Sequence, residues 1–519
     1  MSVNVQFDYS AEFDTAVNEF KTIRAEETRI SKCGGEFVIV GNVTRRLKTR
    51  SPSCHNRFQD DLDRLCQTHW LRQNFMQPPT MQLEALEGYL CVFYILLDIG
   101  APSQIDVFRE NGLSDNKLPF DKTILNSDRI RVWSFEKFSD AFFEVQLAWC
   151  PVQFELGMRE NYFNRIIPVL EKTEIKPHRD GGGPRKNNAS LYSIEVPEEM
   201  VGLELQRKMA SARFKRQGDP SQGFRYRFAL KQFEFERPRN FRNEANMSEY
   251  LRDKDGMVQY IGWYQGLETD GEGTQHEYYN LVLELGDSDL YTVFRTSEPP
   301  VSPKEISSFW HAMFGVSETL ASIYKLRLGG VDYDTWHADI KPENILRVGN
   351  RFKLADLGEA YIKLSNADNR RQGARVTGGT RTYGAPEKAA YLDSRSMQEP
   401  SITQASDIWS LGCVFLVAAI YVALGPQAVL QYARIRRAGL FARTGEISDT
   451  FHYNDAVLPE AIKVPKYIRV VLRKTDMYTA AVLDMVDQHM LVADPEGRFT
   501  ADQVRDWFKA RFGTISDCN

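Results

Sequence analysis

The sequence predicts an α+β fold of two lobes behind a mostly α-helical N-terminal domain. Between about Asp60 and Leu170, apolar residues recur at three- to four-residue intervals, which is the spacing of one helix face. Short runs rich in β-branched and aromatic residues then predict strands, among them LYSIEV, FRYRFALKQFEF and YYNLVLEL. Helical spacing returns from Ser302 onward. A strand-rich part followed by a helix-rich part predicts one α+β unit.

Size and composition agree with two folded domains. The chain has 519 residues, of which 42% are hydrophobic and 26% are charged, enough for separate cores. The predicted boundaries are residues 1–170 for the N-terminal domain and 171–515 for the α+β unit. Within that unit we expect a β-rich lobe over about 171–286 and a helical lobe over about 287–515.

Charge and cysteine content limit the classes of partner and compartment. The net charge of -5, from 65 basic and 70 acidic residues, gives no general attraction to nucleic acid or to an anionic membrane. The seven cysteines are scattered and never spaced as CxxC, so neither a disulfide framework nor a zinc site is predicted. The polar N-terminal residues carry no apolar signal segment. We therefore expect an intracellular protein, cytoplasmic or nuclear, that binds no nucleic acid.

The strongest chemical signal is the run His337-Ala338-Asp339-Ile340-Lys341-Pro342-Glu343-Asn344, with Asp356-Leu357-Gly358 shortly after it. Phosphoryl transfer from ATP uses these side-chain types. One carboxylate orients the attacking hydroxyl, an amide and a second carboxylate hold Mg²⁺, and a cation stabilises charge on the transferring phosphate. The spacing D-x-K-x-x-N followed by D-L-G is far more specific than a lone HxD.

This run resembles the catalytic and metal-binding loops of eukaryotic protein kinases. The likeness continues in order through Gly379–Glu387 (GTRTYGAPE), through Asp407–Gly412 (DIWSLG), and to Arg498, which matches the family's buried partner of Glu387. The resemblance implies a bilobal protein kinase-like fold. It also implies that Asp339 orients a Ser or Thr hydroxyl, Lys341 stabilises the transferring phosphoryl group, and Asn344 with Asp356 holds Mg²⁺.

The nucleotide-binding half is predicted upstream. Phe228-Ala229-Leu230-Lys231 resembles the kinase motif whose lysine contacts ATP phosphates, so Lys231 is the candidate. Glu244, with Glu249 as an alternative on the same segment, is the expected ion-pair partner of Lys231. Within the run Leu281–Gly286, the resemblance implies that Glu284 and Leu285 hold adenine and that Leu283 is the gatekeeper.

The glycine-rich loop departs from the family pattern of G-x-G-x-x-G. We assign it to Gly181 through Ala189, with Gly181 and Gly183 as the phosphate-cradling residues, although Pro184 interrupts and a third glycine is missing. This assignment implies an insertion over roughly Glu199–Gly223 before the Lys231 strand, which we expect to be a basic, solvated loop.

Residue types suggest both substrate and regulation. Lys341 and Thr380 match Ser/Thr-specific kinases, so the expected substrates are ATP with Mg²⁺ and a protein bearing Ser or Thr. Ala338 stands where most family members have an arginine that binds a phosphorylated activation loop. Activity without such phosphorylation is therefore expected. The irregular glycine loop leaves an alternative open, a pseudokinase or scaffold that binds nucleotide or partners without efficient turnover. The oligomeric state stays open.

One segment is apolar enough to suggest a membrane span. Ile408–Gly425 runs for 18 residues without a charge, the lower limit for crossing a bilayer. In the kinase family this position is the central helix of the large lobe, and Asp407 before it would bond the catalytic-loop backbone. We therefore predict a buried core helix and no membrane span.

Overall fold

The computed structural model describes residues 9–48, 86–127, 136–176, 178, 189–217, 223–236, 238–269, 274–365, 381–389 and 403–513. Its helices are α1 Tyr9–Glu26, α2 Val40–Lys48, α3 Leu90–Asp98, α4 Ile105–Glu110, α5 Lys122–Leu125, α6 Glu136–Trp149, α7 Leu203–Lys208, α8 Pro238–Tyr250, α9 Leu290–Thr296, α10 Pro303–Ile323, α11 Gln404–Leu424, α12 Pro426–Thr444, α13 Pro459–Val471, α14 Thr479–Met485 and α15 Ala501–Phe512.

Short strands connect and flank these helices. They are β1 Thr28–Ile30, β2 Glu36–Val38, β3 Met158–Asn161, β4 Glu171–Glu174, β5 Ala189–Pro197, β6 Arg213–Phe214, β7 Arg225–Glu234, β8 Tyr260–Thr269, β9 Gln275–Glu284, β10 Ser288–Asp289, β11 Lys325–Leu328, β12 Val331–Trp336, β13 Ile345–Val348, β14 Arg351–Leu354, β15 Tyr361–Leu364, β16 His452–Tyr453 and β17 Ala456–Val457.

The chain forms two compact units. Unit 1 contains Met1–Glu174, Tyr192–Phe228 and Tyr264–Asn280, and unit 2 contains Ile175–Leu191, Ala229–Trp263 and Leu281–Asn519. The largest sheet has seven strands in the order β3-β8-β9-β7-β5-β4, with β6 paired to β7. The predicted domain boundary at residue 170 stays a prediction, because the grouping into units follows compactness rather than function.

The helical core of unit 1 is built on α3. Its sequence LCVFYILLD is apolar on all sides, and the six residues from Val92 to Leu97 are buried. The rings of Phe20, Tyr94 and Trp149 pack together with centroids 5.5 to 5.9 Å apart. Gln146, fully buried, bonds both the N–H and the carbonyl of Phe120, at 2.8 and 2.9 Å. This polar contact fixes α6 on the preceding loop.

The helical prediction for the N-terminal region is wrong beyond residue 149. Helix α6 ends at Trp149, and Met158–Asn161 is a strand. Pro151 follows the helix closely, and proline disfavours helical backbone in the residue before it and offers no N–H of its own. The predicted solvated loop at 199–223 also contains structure, since α7 forms there and Arg213 pairs with Tyr226.

Helix α11 is the centre of the helical part of unit 2. Seventeen of its residues, from Ser406 to Val422, are buried, and α12, α13 and α14 pack against it. A Cβ at Gly412 would lie 2.9 Å from the Cβ of Met490, so only glycine allows this close approach. Although α11 has the length and hydropathy of a membrane span, 89% of its apolar window is buried inside the protein. The core-helix prediction agrees with this burial, and the α+β fold class is confirmed.

Candidate active site

Three ionisable side chains of unit 2 form what we call the charge cluster: Lys231, Glu244 and Asp356. Lys231 leaves strand β7, and its Nζ donates to both oxygens of Glu244, each at 2.7 Å, and to Oδ1 of Asp356 at 2.8 Å. Helix α8 supplies Glu244 from its buried face. Glu249, the alternative on the same helix, pairs instead with Arg252 at 3.0 Å. The structure thus places Glu244, not Glu249, against Lys231.

Burial and mutual attraction shift the pKa values within the charge cluster. Burial raises the pKa of Glu244 to about 7, against the opposing effect of Lys231. Burial would also raise the pKa of Asp356, but the Lys231 ammonium outweighs it and holds that pKa well below the usual range. For Lys231, burial acts to lower the pKa, and the carboxylates of Asp356 and Glu244 together raise it above its ordinary value. At neutral pH, Lys231 and Asp356 are therefore charged, whereas Glu244 is close to its titration point.

The predicted catalytic residues meet in the loop of residues 337–344. Lys341 Nζ lies 2.5 Å from Asp339 Oδ2, and both side chains are nine-tenths buried. Asn344 Nδ2 donates to the Asp339 carbonyl at 2.8 Å and to Asp339 Oδ2 at 3.1 Å. The structure therefore brings Asp339, Lys341 and Asn344 together, with the carboxylate fixed by an ammonium and an amide.

Asp407, the fourth residue of helix α11, holds the backbone of the 337–344 loop. Its two carboxylate oxygens accept from the N–H groups of His337, at 2.7 Å, and of Ala338, at 2.8 Å. Asp407 is 1% exposed, and burial raises its pKa. His337 is fully buried and its Nε2 lies 3.0 Å from the carbonyl of Ala355, which links this loop to the Asp356 segment. Helix α11 thus holds the 337–344 loop through the side chain of Asp407.

The expected adenine-binding segment ends strand β9. Glu284 is buried, its carboxylate accepts from the N–H of Gln259 at 3.0 Å, and Lys353 pairs with it at 2.8 Å. Leu283 and Leu285 are half-buried. The backbone groups of Leu285 and Gly286 make no hydrogen bond to any of the described residues. They are therefore available to a ligand, as adenine recognition through the backbone requires.

Gly286 is fixed by close packing in this segment. A Cβ there would lie 2.9 Å from the Cβ of Leu346, so the chain passes too near strand β13 for any larger residue. Ala229, two residues before Lys231 on β7, is 6% exposed. The small side chain at this position agrees with the predicted nucleotide-facing role.

The predicted glycine loop cannot be placed in the same way. Gly181 and Gly183 lie outside the residues that the structure describes, as does Thr380. Near them, His178 is described: its Nε2 lies 2.7 Å from Asp289 Oδ2, and its ring centroid is 4.2 Å from that of Tyr291. Asp289 also caps helix α9. The chain just before the predicted glycine loop therefore reaches the segment that follows Leu281–Gly286.

The run Gly379–Glu387, which resembles the end of a kinase activation segment, is anchored through Glu387 as the resemblance implies. Arg498, whose side chain is fully buried, donates to both oxygens of Glu387 at 2.7 and 2.9 Å. Thr382 Oγ1 donates to Asp449 at 2.6 Å, and Ser410 donates to the carbonyl of Tyr383 at 2.8 Å. These contacts tie residues 381–389 to the helical core.

Two site residues fit a magnesium ion by their chemistry. The amide nitrogen of Asn344 is used by Asp339, and its Oδ1 makes no hydrogen bond to the described residues. Asp356 uses Oδ1 for Lys231, which leaves Oδ2 without a described partner. Mg²⁺ prefers oxygen ligands and is usually held by one or two protein groups together with phosphates and water. The described residues contain no cluster of three or more His, Cys, Asp or Glu side chains that could hold a metal ion.

Sequence reasoning missed two polar residues at this site. Lys388, directly after Glu387, is 6% exposed and its Nζ donates to the carbonyl of Ala338 at 2.6 Å. Lys353 is the partner of Glu284. Neither carries a sequence signal, because lysines are usually exposed and nothing local marks these as buried.

The structure has a strand-rich part and a helical part, and it brings together Lys231, Asp339, Asp356 and Asn344. This combination defines a protein of the kinase class. The chain belongs to the protein kinase family, because the model of the protein kinase domain matches residues 224–508, more than half of its length.

Individual relatives are distant. The chain is 25% identical over 264 residues to the serine/threonine-protein kinase MPS1 of Encephalitozoon cuniculi, covering 51% of this chain and 40% of the relative. It is 28% identical over 241 residues to mitogen-activated protein kinase 15 of Caenorhabditis elegans, covering 43% and 47%. It is 30% identical over 180 residues to the dual specificity protein kinase TTK of Mus musculus, covering 34% and 18%. The chain thus spans less than half the length of each of these relatives.

Proposed function

We propose that this protein is a serine/threonine protein kinase that transfers the γ-phosphoryl group of Mg-ATP to Ser or Thr hydroxyls of protein substrates. The observation that carries the proposal is the joint presence, in one unit, of the Lys231–Glu244–Asp356 cluster and the buried Asp339–Lys341–Asn344 arrangement. Each residue type that the reaction requires is present in hydrogen-bonded contact with another.

In this mechanism Asp339 accepts or orients the proton of the attacking hydroxyl. Lys341, which lies against Asp339, supplies positive charge where the transferring phosphoryl group develops negative charge. Lys231 would bind the ATP phosphates, and Glu244 would keep its ammonium in place. Asn344 and Asp356 would hold Mg²⁺, which neutralises phosphate charge. Leu283, Glu284 and Leu285 would enclose adenine, and Gly181 with Gly183 would cover the phosphates.

Activity without phosphorylation of the activation loop is part of the proposal. Ala338 has no charged group with which to bind a phosphate, and Glu387 is held by Arg498 through buried contacts that need no modification. Treatment of the purified protein with a phosphatase should therefore leave its specific activity unchanged. A large loss of activity after this treatment would contradict this part.

The test of the reaction is transfer of labelled phosphate from Mg-ATP to a generic basic protein. Asp339→Asn should lower kcat by about 10²–10⁴-fold, since it removes the proton-accepting carboxylate. The matched control is Asp332→Asn, the same change at an exposed carboxylate whose one side-chain partner among the described residues is Arg327, at 3.8 Å. The proposed kinase activity is rejected if the wild-type protein transfers no more phosphate than Asp339→Asn to several substrates.

The alternative, a pseudokinase or scaffold, predicts a different combination of results. It requires no transfer above the Asp339→Asn level together with a thermal shift on adding ATP. Performing that shift with and without Mg²⁺ also tests the ligands proposed for the metal, because Asp356→Asn should remove the Mg²⁺-dependent part.

A further inference from the structure

The ammonium of Lys388 lies inside the protein, close to the 337–344 loop. The residue is 6% exposed, and its Nζ donates to the carbonyl of Ala338 at 2.6 Å. An ammonium is costly to bury, so a lysine in this place is unusual unless it bonds a specific group. The compensating charge is Asp407, a carboxylate that is 1% exposed and whose pKa the Lys388 ammonium acts to lower, against the effect of burial.

Both backbone polar groups of Ala338, its N–H and its carbonyl, are hydrogen-bonded to buried side chains. Its N–H donates to Asp407 Oδ1 at 2.8 Å, and its carbonyl accepts from Lys388. Its φ is +63°, in the left-handed region that residues other than glycine rarely adopt. A strained backbone of this kind persists only where the surroundings impose it. Here two buried, oppositely charged side chains bond the two polar groups of the strained residue.

Asp339 follows Ala338 directly, so the direction of its side chain depends on this strained backbone. If the Ala338 carbonyl were released, rotation about φ toward the common helical or extended regions would reorient the next residue. We propose that Lys388 is a positioning residue, which holds Ala338 in its left-handed conformation and thereby aims Asp339 at the substrate hydroxyl. This inference rests on the proposed kinase function and adds to it a residue that no motif marks.

The arrangement also gives the proposed regulation a physical basis. The contact joins the end of the activation segment, at Lys388, to the loop that carries Asp339. It uses a backbone carbonyl and the Lys388 side chain, so it forms without any added phosphate group. Ala338 contributes no charge of its own, and Lys388 supplies one from the other side of the contact.

The test compares Lys388→Met, Lys388→Arg and Ala338→Gly, alone and combined. Lys388→Met should lower kcat about 100-fold with little change in the KM for ATP, because it disturbs the direction of Asp339 and not nucleotide binding. Lys388→Arg keeps a donor and should retain most of kcat. Adding Ala338→Gly to Lys388→Met should restore kcat about tenfold, since glycine adopts positive φ without strain.

A merely structural role predicts other results. Thr382→Val removes a different anchor of the same segment, the 2.6 Å bond to Asp449, and should not reproduce the kcat loss. The inference is overturned if Lys388→Met keeps kcat within about twofold of wild type, or if Ala338→Gly restores nothing. It is also overturned if Thr382→Val shows the same loss. Should Lys388→Met not fold, Lys388→Leu, which also removes the donor to the Ala338 carbonyl, takes its place alone and combined with Ala338→Gly.

Hydrogen exchange separates this inference from the proposed function. The backbone amide of Asp339, which belongs to the same peptide group as the Ala338 carbonyl, should exchange faster in Lys388→Met than in wild type, whether or not the protein transfers phosphate. If wild type is inactive but this exchange increases, the proposed function fails and the positioning contact stands. If wild type is active and neither kcat nor exchange changes, only the role of Lys388 fails.

Discussion

The charge cluster and the 337–344 loop are held by different kinds of bond. In the charge cluster, the bonds of Lys231 run between ionisable side chains, and Glu244 is near its titration point at pH 7. In the loop, Asp407 and Lys388 bond backbone N–H and carbonyl groups. Side-chain ion pairs can change partners when a ligand or a proton arrives, whereas backbone bonds hold the loop regardless of ligand. We therefore expect the charge cluster to rearrange when a ligand or a proton binds, and the 337–344 loop to keep its conformation.

Among the variants that test this comparison, removal of the cation from the charge cluster should give the largest effect. Lys231→Met leaves Glu244 and Asp356 facing each other without a positive charge and removes the phosphate contact. We expect kcat/KM to fall about 10²–10³-fold, as for loss of one preorganised charge-stabilising donor. Steady-state kinetics with ATP as the varied substrate measure this.

Lys172→Met is the matched control for that experiment. Lys172 also forms a half-buried ion pair, with Glu268 at 2.5 Å, but in unit 1 and outside the candidate site. It should lower the free energy of unfolding without a comparable loss of kcat/KM. Equal kinetic losses in the two variants would remove the special role of Lys231.

Asp407→Asn tests whether backbone hydrogen bonds fix the 337–344 loop. The amide replaces one acceptor oxygen by an NH₂ group, so one of the two buried backbone N–H groups of His337 and Ala338 loses its partner. We expect the free energy of unfolding to fall by about 2–3 kcal/mol, the cost of an unsatisfied buried group bonded to a charge. Urea denaturation measures this. If stability is unchanged while activity falls, the loop is not fixed by these bonds and the comparison is wrong.

The charge cluster should make kcat/KM depend on pH in a defined direction. Glu244 has a pKa of about 7, so below pH 7 it gains a proton and loses its charge-charge attraction for Lys231. We expect kcat/KM to fall up to about tenfold per pH unit on the acid side of 7. The free energy of unfolding should change in the opposite direction and rise as the pH falls below 7. Because burial raises this pKa above the unfolded value, the stabilising contribution of the protonated form is present at low pH and is lost as pH rises through 7.

Two variants of helix α8 isolate the group responsible. Glu244→Gln should remove the acid limb near pH 7, at reduced overall activity. Glu249→Gln, on the same helix but paired with Arg252, should retain it. A limb that persists unchanged in Glu244→Gln would assign the titration to another group.

Sequence reasoning found the residues of the 337–344 loop because they are contiguous and chemically distinctive. It also selected Lys231 and Glu244, which lie 13 positions apart and meet through helix α8. It missed Lys388, whose burial depends on packing that is distant in sequence. The same limit applies to residues 150–170, where a helical pattern of apolar residues continued past Pro151 although Met158–Asn161 is a strand. Local periodicity does not report which partner a segment will pair with.

The position of Asp407 at the start of helix α11 has a consequence for the order in which the protein loses structure. The amides of His337 and Ala338 are bonded to a side chain of helix α11, in which seventeen consecutive residues are buried. Local opening of the loop cannot release them unless that helix also moves, so their hydrogen exchange should be as slow as global unfolding. The catalytic loop would then belong to the most persistent cooperative unit of the protein, and catalytic geometry would be among the last native features lost.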